Sequence, residues 1–187
     1  MKRAVFFSAI LLVVDQLLKW YFQSYFVGKT LHLVKGFGLT YTTNPGIWVN
    51  KIISTGALLL IQVVAFFVWI LIFYLLKYYK AYYRKSIYVD ISFGFFTTAV
   101  FGNVYLDRIL YGFIRDFLIN PIAVSNFADI AGSLAFVFFA IELIVYPRAR
   151  QLIKLGKPQD WLRNIQVFID FLRGRNPEHR LTRHSRN

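Results

Sequence analysis

The chain has 187 residues, 57% of them hydrophobic and 17% charged, too apolar for an ordinary soluble domain and fitting a small polytopic membrane protein. Twenty-two Lys and Arg against nine Asp and Glu give a net charge of +13. The basic residues lie mainly between and after apolar runs, a distribution that suits membrane topology and anionic headgroups and gives no reason to expect nucleic acid. Cysteine is absent, which excludes disulfides and thiol chemistry.

Four segments are long enough to cross a bilayer of roughly 30 Å: Ala4–Tyr25, Ile52–Leu76, Ile87–Leu106 and Ile130–Tyr146. The first begins with Lys2-Arg3 like a secretory signal peptide. No small-residue cleavage site follows, and the helix continues through Asp15 and Lys19, so it reads as a retained span. Lys2 and Arg3, the Lys77–Lys85 loop, and ten Lys/Arg against three Asp/Glu after Tyr146 all predict a cytoplasmic side. Both termini are then inside, and the segments around Gly28–Asn50 and Asp107–Asp129 face outward.

The first outer segment alternates weakly, with glycines at 28, 36 and 38, and predicts short strands or a hairpin on the membrane surface. After the fourth span, Trp161, Leu162, Ile165, Phe168, Ile169 and Leu172 recur at helical spacing, with Asp160 as N-cap and Gly174 as stop. They predict an amphipathic helix over about 160–173, lying on the inner leaflet or packed on protein. Residues 175–187 read as disordered.

The polar residues in this apolar background are the functional candidates. Asp116 and Asp129 lie thirteen residues apart between the third and fourth spans. Two carboxylates that converge suggest shared-proton acid–base chemistry, the arrangement of an aspartyl peptidase. Asp15 and Lys19 sit four apart and meet on one helix face, either to lock packing or to support a site; Gln16 adds an amide. Asn44-Pro45-Gly46 reads as a turn, or as an asparagine placed to bond a peptide backbone. Asp107 and Arg108 form an interfacial ion pair, or Arg108 lowers a carboxyl pKa or holds a carbonyl. Arg115 points away from Asp116. Asp90 and Glu142 fall near cytoplasmic helix ends, where snorkelling or pairing with Arg84, Lys85 or Arg148 is expected. With three histidines and neither H-E-x-x-H, G-x-S-x-G nor a phosphate-binding glycine motif, zinc-peptidase, serine-nucleophile and nucleotide chemistries are set aside.

Taken in order, these clusters resemble the lipoprotein signal peptidase (signal peptidase II) family of bacteria. The resemblance runs over residues 10–146 through D-Q-x-x-K at Asp15–Lys19, N-x-G at Asn44–Gly46, D-R-x-x-x-G-x-x-x-D-F at Asp107–Phe117 and N-x-A-D at Asn126–Asp129. It implies an all-α membrane protein: four transmembrane helices over residues 1–146, a small extracytoplasmic β-cradle from residues 27–50, and a basic cytoplasmic tail over 147–187. It further implies an intramembrane aspartyl endopeptidase of the bacterial inner membrane, monomeric and cofactor-free. Such an enzyme cuts diacylglyceryl-modified prolipoproteins before the lipidated cysteine. Asp116 and Asp129 would be the catalytic dyad, with Asn44, Gly46, Arg108 and Asn126 lining the site and Asp15, Lys19 and Asp107 supporting it.

The family's G-N-x-x-D-R is one residue longer here, from Gly102 to Arg108. Asn103 therefore falls about 100° around a helix from its family place, unless a π-bulge absorbs the extra residue. Ile130 stands where a small residue usually follows the second aspartate. Two other readings stay open: a catalytically silent relative that binds lipoproteins or lipid, and a small proton-conducting protein.

Overall fold

Long apolar runs without internal proline become helices because a bilayer offers their backbone groups no other partner. A computed structural model of the protein describes residues 2–45, 55–82, 85–146 and 158–174. Among them are four helices long and apolar enough to cross a membrane: Lys2–Tyr25, Leu59–Ala81, Ile87–Tyr111 and Phe127–Val145. The first is α1; the second belongs to α2 (Thr55–Tyr82). The third comprises α3 (Ile87–Ala99), a π-helical segment (Val100–Asp107) and one α-turn, α4 (Arg108–Tyr111). The fourth is α5.

On α1, Ala4, Ser8, Asp15, Lys19 and Phe22 are buried, a seam of three-, four- and seven-residue steps along one face. That seam packs against α3, whose Val89, Phe93, Gly94, Thr97 and Thr98 are buried. A Cβ on Gly94 would lie 3.0 Å from Phe7 Cβ, so the small residue sets how closely the two helices approach. On α5, Ala128, Ala131 and Ala135 are the small buried residues, and Ser92 Oγ of α3 donates to the Ala135 carbonyl at 2.8 Å. Helix α2 packs chiefly through Trp69, whose indole meets Phe93 and Phe101 and donates to Thr97 Oγ1 at 3.0 Å. Another face of α2, with Leu60, Val64, Phe67 and Leu71, is exposed apolar surface of the kind lipid covers.

A four-stranded antiparallel sheet, in the order β1-β2-β3-β4, closes one end of the bundle. Strands β1 (Thr30–Val34) and β2 (Phe37–Asn44) form the expected hairpin, turning at Gly36 with φ +82°. Strands β3 (Ile114–Ile119) and β4 (Val124–Ser125) are additional to the expectation. Gly112, at φ +78°, ends α4 in the left-handed conformation and releases the chain into β3. Strand alternation then sends Arg115 and Phe117 toward α1 and Asp116 the other way. Phe117 stacks on Phe22 with centroids 4.3 Å apart.

The first span starts at Lys2 and the second runs on past Leu76 to Ala81, and two further boundaries shift for local reasons. The fourth span starts at Phe127, not Ile130, because Asn126 caps it. The third runs past Leu106 because Asp107 is neutralised inside the protein and so does not end the helix.

The tail helix, α6 (Pro158–Leu172), begins two residues before the expected cap Asp160, and Gly174 at φ +68° ends it. Phe168 and Phe171 meet Tyr78 of α2 edge-on, while Ile165, Ile169 and Leu172 stay exposed. The side chains of Trp161 and Leu162, and all of 175–187, lie outside the described residues. Asp90 pairs with Lys80, and Glu142 accepts from the hydroxyls of Tyr79 and Ser86. The lysine from α2 and two neutral donors thus replace the expected Lys85; Arg84 and Arg148 lie outside the described residues.

Candidate active site

Asn126 is the N-cap of α5 and forms a capping box with Asp129. Its side-chain oxygen accepts from Asp129 N at 3.1 Å, and Asp129 Oδ2 accepts from Asn126 N at 3.0 Å. The amide nitrogen left over, Nδ2, donates to Asp116 Oδ1 at 2.6 Å. One residue therefore bonds both carboxylates. Asp116 Oδ2 accepts from Asn44 Nδ2 at 3.0 Å, because Asp116 faces Thr42 across the sheet and Asn44 ends the same strand. Asp129 Oδ1 accepts from Asn103 Nδ2 at 2.8 Å. Each carboxylate oxygen thus holds one N–H donor, and each keeps further lone-pair capacity.

Their surroundings differ. Asp116 is 2% exposed, whereas Asp129 is exposed at the start of its helix. Burial pushes the Asp116 carboxyl above its ordinary value; the amides of Asn44 and Asn126 oppose that shift, and the neighbouring Asp129 charge adds to it.

Behind the pair lies an ionic network. Lys19, wholly buried, has its ammonium 2.9 Å from Asp15 Oδ2 and 3.1 Å from Asp107 Oδ2, and donates to Asn103 Oδ1 at 2.7 Å. Asp15 Oδ1 accepts from the Ala128 backbone N–H at 3.0 Å. Asp107 takes Arg115 through Nη2 at 2.8 Å, Nε at 3.2 Å and the backbone N at 2.9 Å. Arg115 also donates to Gln16 and Gln23 and lies 4.0 Å from the Tyr111 ring centroid. Two carboxylates and two cations balance, which is what makes ions tolerable at this depth. Lys19 joins the network to the pair, since Asn103 bonds Lys19 on one side and Asp129 on the other.

The π-helical segment brings Asn103 there. Its wider turns advance each residue through a smaller angle, so the extra residue before Asp107 is absorbed and both side chains face α1. Carbonyls along it take side-chain donors: Gly102 O from Lys19 at 3.3 Å and Val104 O from Gln62 at 3.1 Å. Gly102 is needed for the fit, because a Cβ there would stand 2.7 Å from Asp15 Oδ2 and 3.1 Å from Ala128 Cβ. Gly102→Ala should therefore destabilise the protein by about 1–3 kcal/mol through overpacking. Thermal unfolding in detergent checks this; an unchanged midpoint would mean that α1 shifts freely.

Arg108 does not pair with Asp107. It donates from Nη1 to the Pro45 carbonyl at 3.0 Å, on the exposed rim of the sheet. Gly46 lies outside the described residues. Arg115 and Gln23 belong to the network without having been marked as site residues. The available signal for Arg115 was its place beside Asp116 in an alternating run, which puts it on the opposite face toward α1.

A family model described as signal peptidase (SPase) II matches residues 7–145. The chain belongs to the signal peptidase II family. As a member it is an aspartic-peptidase-type hydrolase, and its four apolar helices make it a multi-pass bacterial membrane protein. Two solved structures share the fold. One, a bacterial membrane enzyme determined by the in meso method at 1.9 Å, is 19% identical with a TM-score of 0.59, over 76% of this chain and 93% of that one. The other, a bacterial membrane enzyme determined by the same method at 2.3 Å, is 18% identical with a TM-score of 0.57, over 77% and 88%. No curated protein matches the sequence at a significant level. The signal peptidase II match runs from within α1 to the end of α5 and leaves α6 outside it.

Proposed function

We propose that this signal peptidase II family member removes the signal peptide from diacylglyceryl-modified prolipoproteins, cutting before the lipidated cysteine, with Asp116 and Asp129 as the catalytic dyad. The observation that carries this reading is the convergence of both carboxylates on Asn126. Two carboxyl groups so close share one proton and titrate as a unit. The ionised member takes a proton from water as that water adds to the scissile carbonyl. The protonated member polarises the carbonyl oxygen, and the departing amine nitrogen takes a proton as the C–N bond breaks. Asn44, Asn103 and Asn126 orient the carboxylates. Lys19, held by Asp15 and Asp107, fixes Asn103, and Arg115 secures Asp107. Arg108, fastened to the Pro45 carbonyl, anchors the end of β2 that carries Asn44. The mechanism uses no metal or organic cofactor.

In this reading residues 1–146 form the peptidase unit and 147–187 a basic tail on the anionic inner leaflet. The bias of Lys and Arg supports both termini inside and the carboxylates at the outer face, beneath the β-cradle. The protein acts as a monomer.

The pH profile tests the shared proton. Activity is lost on the acid side when both carboxyls are protonated and on the alkaline side when both are ionised. Because Asp116 keeps its proton above the ordinary carboxylate range, the alkaline limb of kcat/KM lies above that range. Asn44→Ala removes a hydrogen bond that favours the ionised form, so the limb should move to still higher pH. A limb that stays put would detach Asp116 from catalysis.

A further inference from the structure

At the bundle end opposite the carboxylates, the start of α1, the end of α2 and the start of α3 surround a cleft of about 450 Å³. Lys2, Arg3, Lys77, Lys80 and Lys85 line it with a single carboxylate, Asp90. Asp90 is taken by Lys80. Among the described residues no other ion pair reaches Lys2, Arg3, Lys77 or Lys85. Among the described residues, four cations from three helix ends thus converge without an ion-pair partner, an arrangement that costs free energy unless an anion sits among them. The cleft plays no part in the proposed cleavage: Asp90 and Asn103 are thirteen residues apart on the third span, about 20 Å along its axis.

We propose that this cleft binds the phosphodiester headgroup of an anionic phospholipid. It lies where three membrane-spanning helices end, at headgroup depth, and its cations suit a phosphate and repel the ammonium of a zwitterionic lipid. The Lys77 ammonium is 5.9 Å from the Phe171 ring centroid of α6, and α6 leaves Ile165, Ile169 and Leu172 exposed along one stripe where acyl chains can lie.

The test is native mass spectrometry of the full chain released from detergent micelles doped with dioleoylphosphatidylglycerol or dioleoylphosphatidylcholine. Wild type should retain one phosphatidylglycerol and far less phosphatidylcholine. Lys77→Gln/Lys85→Gln should lower phosphatidylglycerol retention about tenfold, as expected for two lysines facing an anionic headgroup. Lys29→Gln/Lys35→Gln removes the same charge at the far end and should leave retention unchanged. Lys85→Gln alone, at an exposed position, carries the test if the double variant loses stability. Equal retention by wild type and the cleft variants, equal retention of both lipids, or an equal loss in the far-end control would overturn the proposal. So would displacement of the lipid by millimolar inorganic phosphate, which would make the ligand a free anion. None of these outcomes bears on the dyad, whose test is cleavage.

Discussion

Given a diacylglyceryl-modified prolipoprotein in detergent, wild type should release the signal peptide, while Asp116→Asn and Asp129→Asn should each leave the precursor intact. The expected loss is about 10³-fold or more, the upper part of the range for a positioned acid–base group. Asparagine keeps the shape of the carboxylate and an acceptor oxygen but neither gives nor takes the proton. Both variants should still fold, since Lys19, Asp15, Asp107 and Arg115 bond without them. A gel-shift assay reads cleavage, and elution volume with thermal midpoint reads folding. Substantial activity in either variant would end the dyad assignment. A wild type that holds the substrate uncut would instead favour a relative that only binds lipoproteins.

The second large effect is on stability. Lys19→Met should cost about 3–5 kcal/mol, because Asp15 and Asp107 would then face a single cation, Arg115, in a buried network. The thermal midpoint in detergent should fall by roughly 10 °C on the usual scaling for a chain of this size. Asp15→Asn/Lys19→Met restores the charge balance and should recover part of that loss. Cleavage should fall in both variants, since Asn103 loses the lysine that orients it toward Asp129. A double variant no more stable than Lys19→Met would mean that packing at this depth, and not charge balance, governs the seam.

Hydropathy made the four spans legible, and spacing made Asp15 and Lys19 a pair, because both depend on local sequence. Residues whose partners come from another segment were not legible. Ile114–Ile119 is short and carries Arg115-Asp116 in its middle, so it reads as a polar loop until β2 supplies its ladder. Asp107 looks like Arg108's partner by adjacency, yet Arg115 and Lys19 take it through the folded contact of β3 and α1. The capping box at Asn126–Asp129 was within reach, since an Asn three residues before an acid at the head of an apolar run is a helix-start signature. Reading it would have placed the start of α5 at Phe127 and tied the two residues together.

The wide helical turn between Val100 and Asp107 protects something beyond Asn103. A strand cannot accommodate an added residue without exchanging its two faces, so a one-residue slip passed on to β3 would turn Asp116 toward α1 and Arg115 toward Asn44. Because the helix takes up the surplus length first, the pairing of Thr42 with Asp116 is insulated from it. The membrane-embedded part of this chain can therefore change its residue count while the sheet above it keeps its alternation. Asn103 and the carboxylates beyond it are held at a fixed angular phase, not at a fixed distance along the sequence.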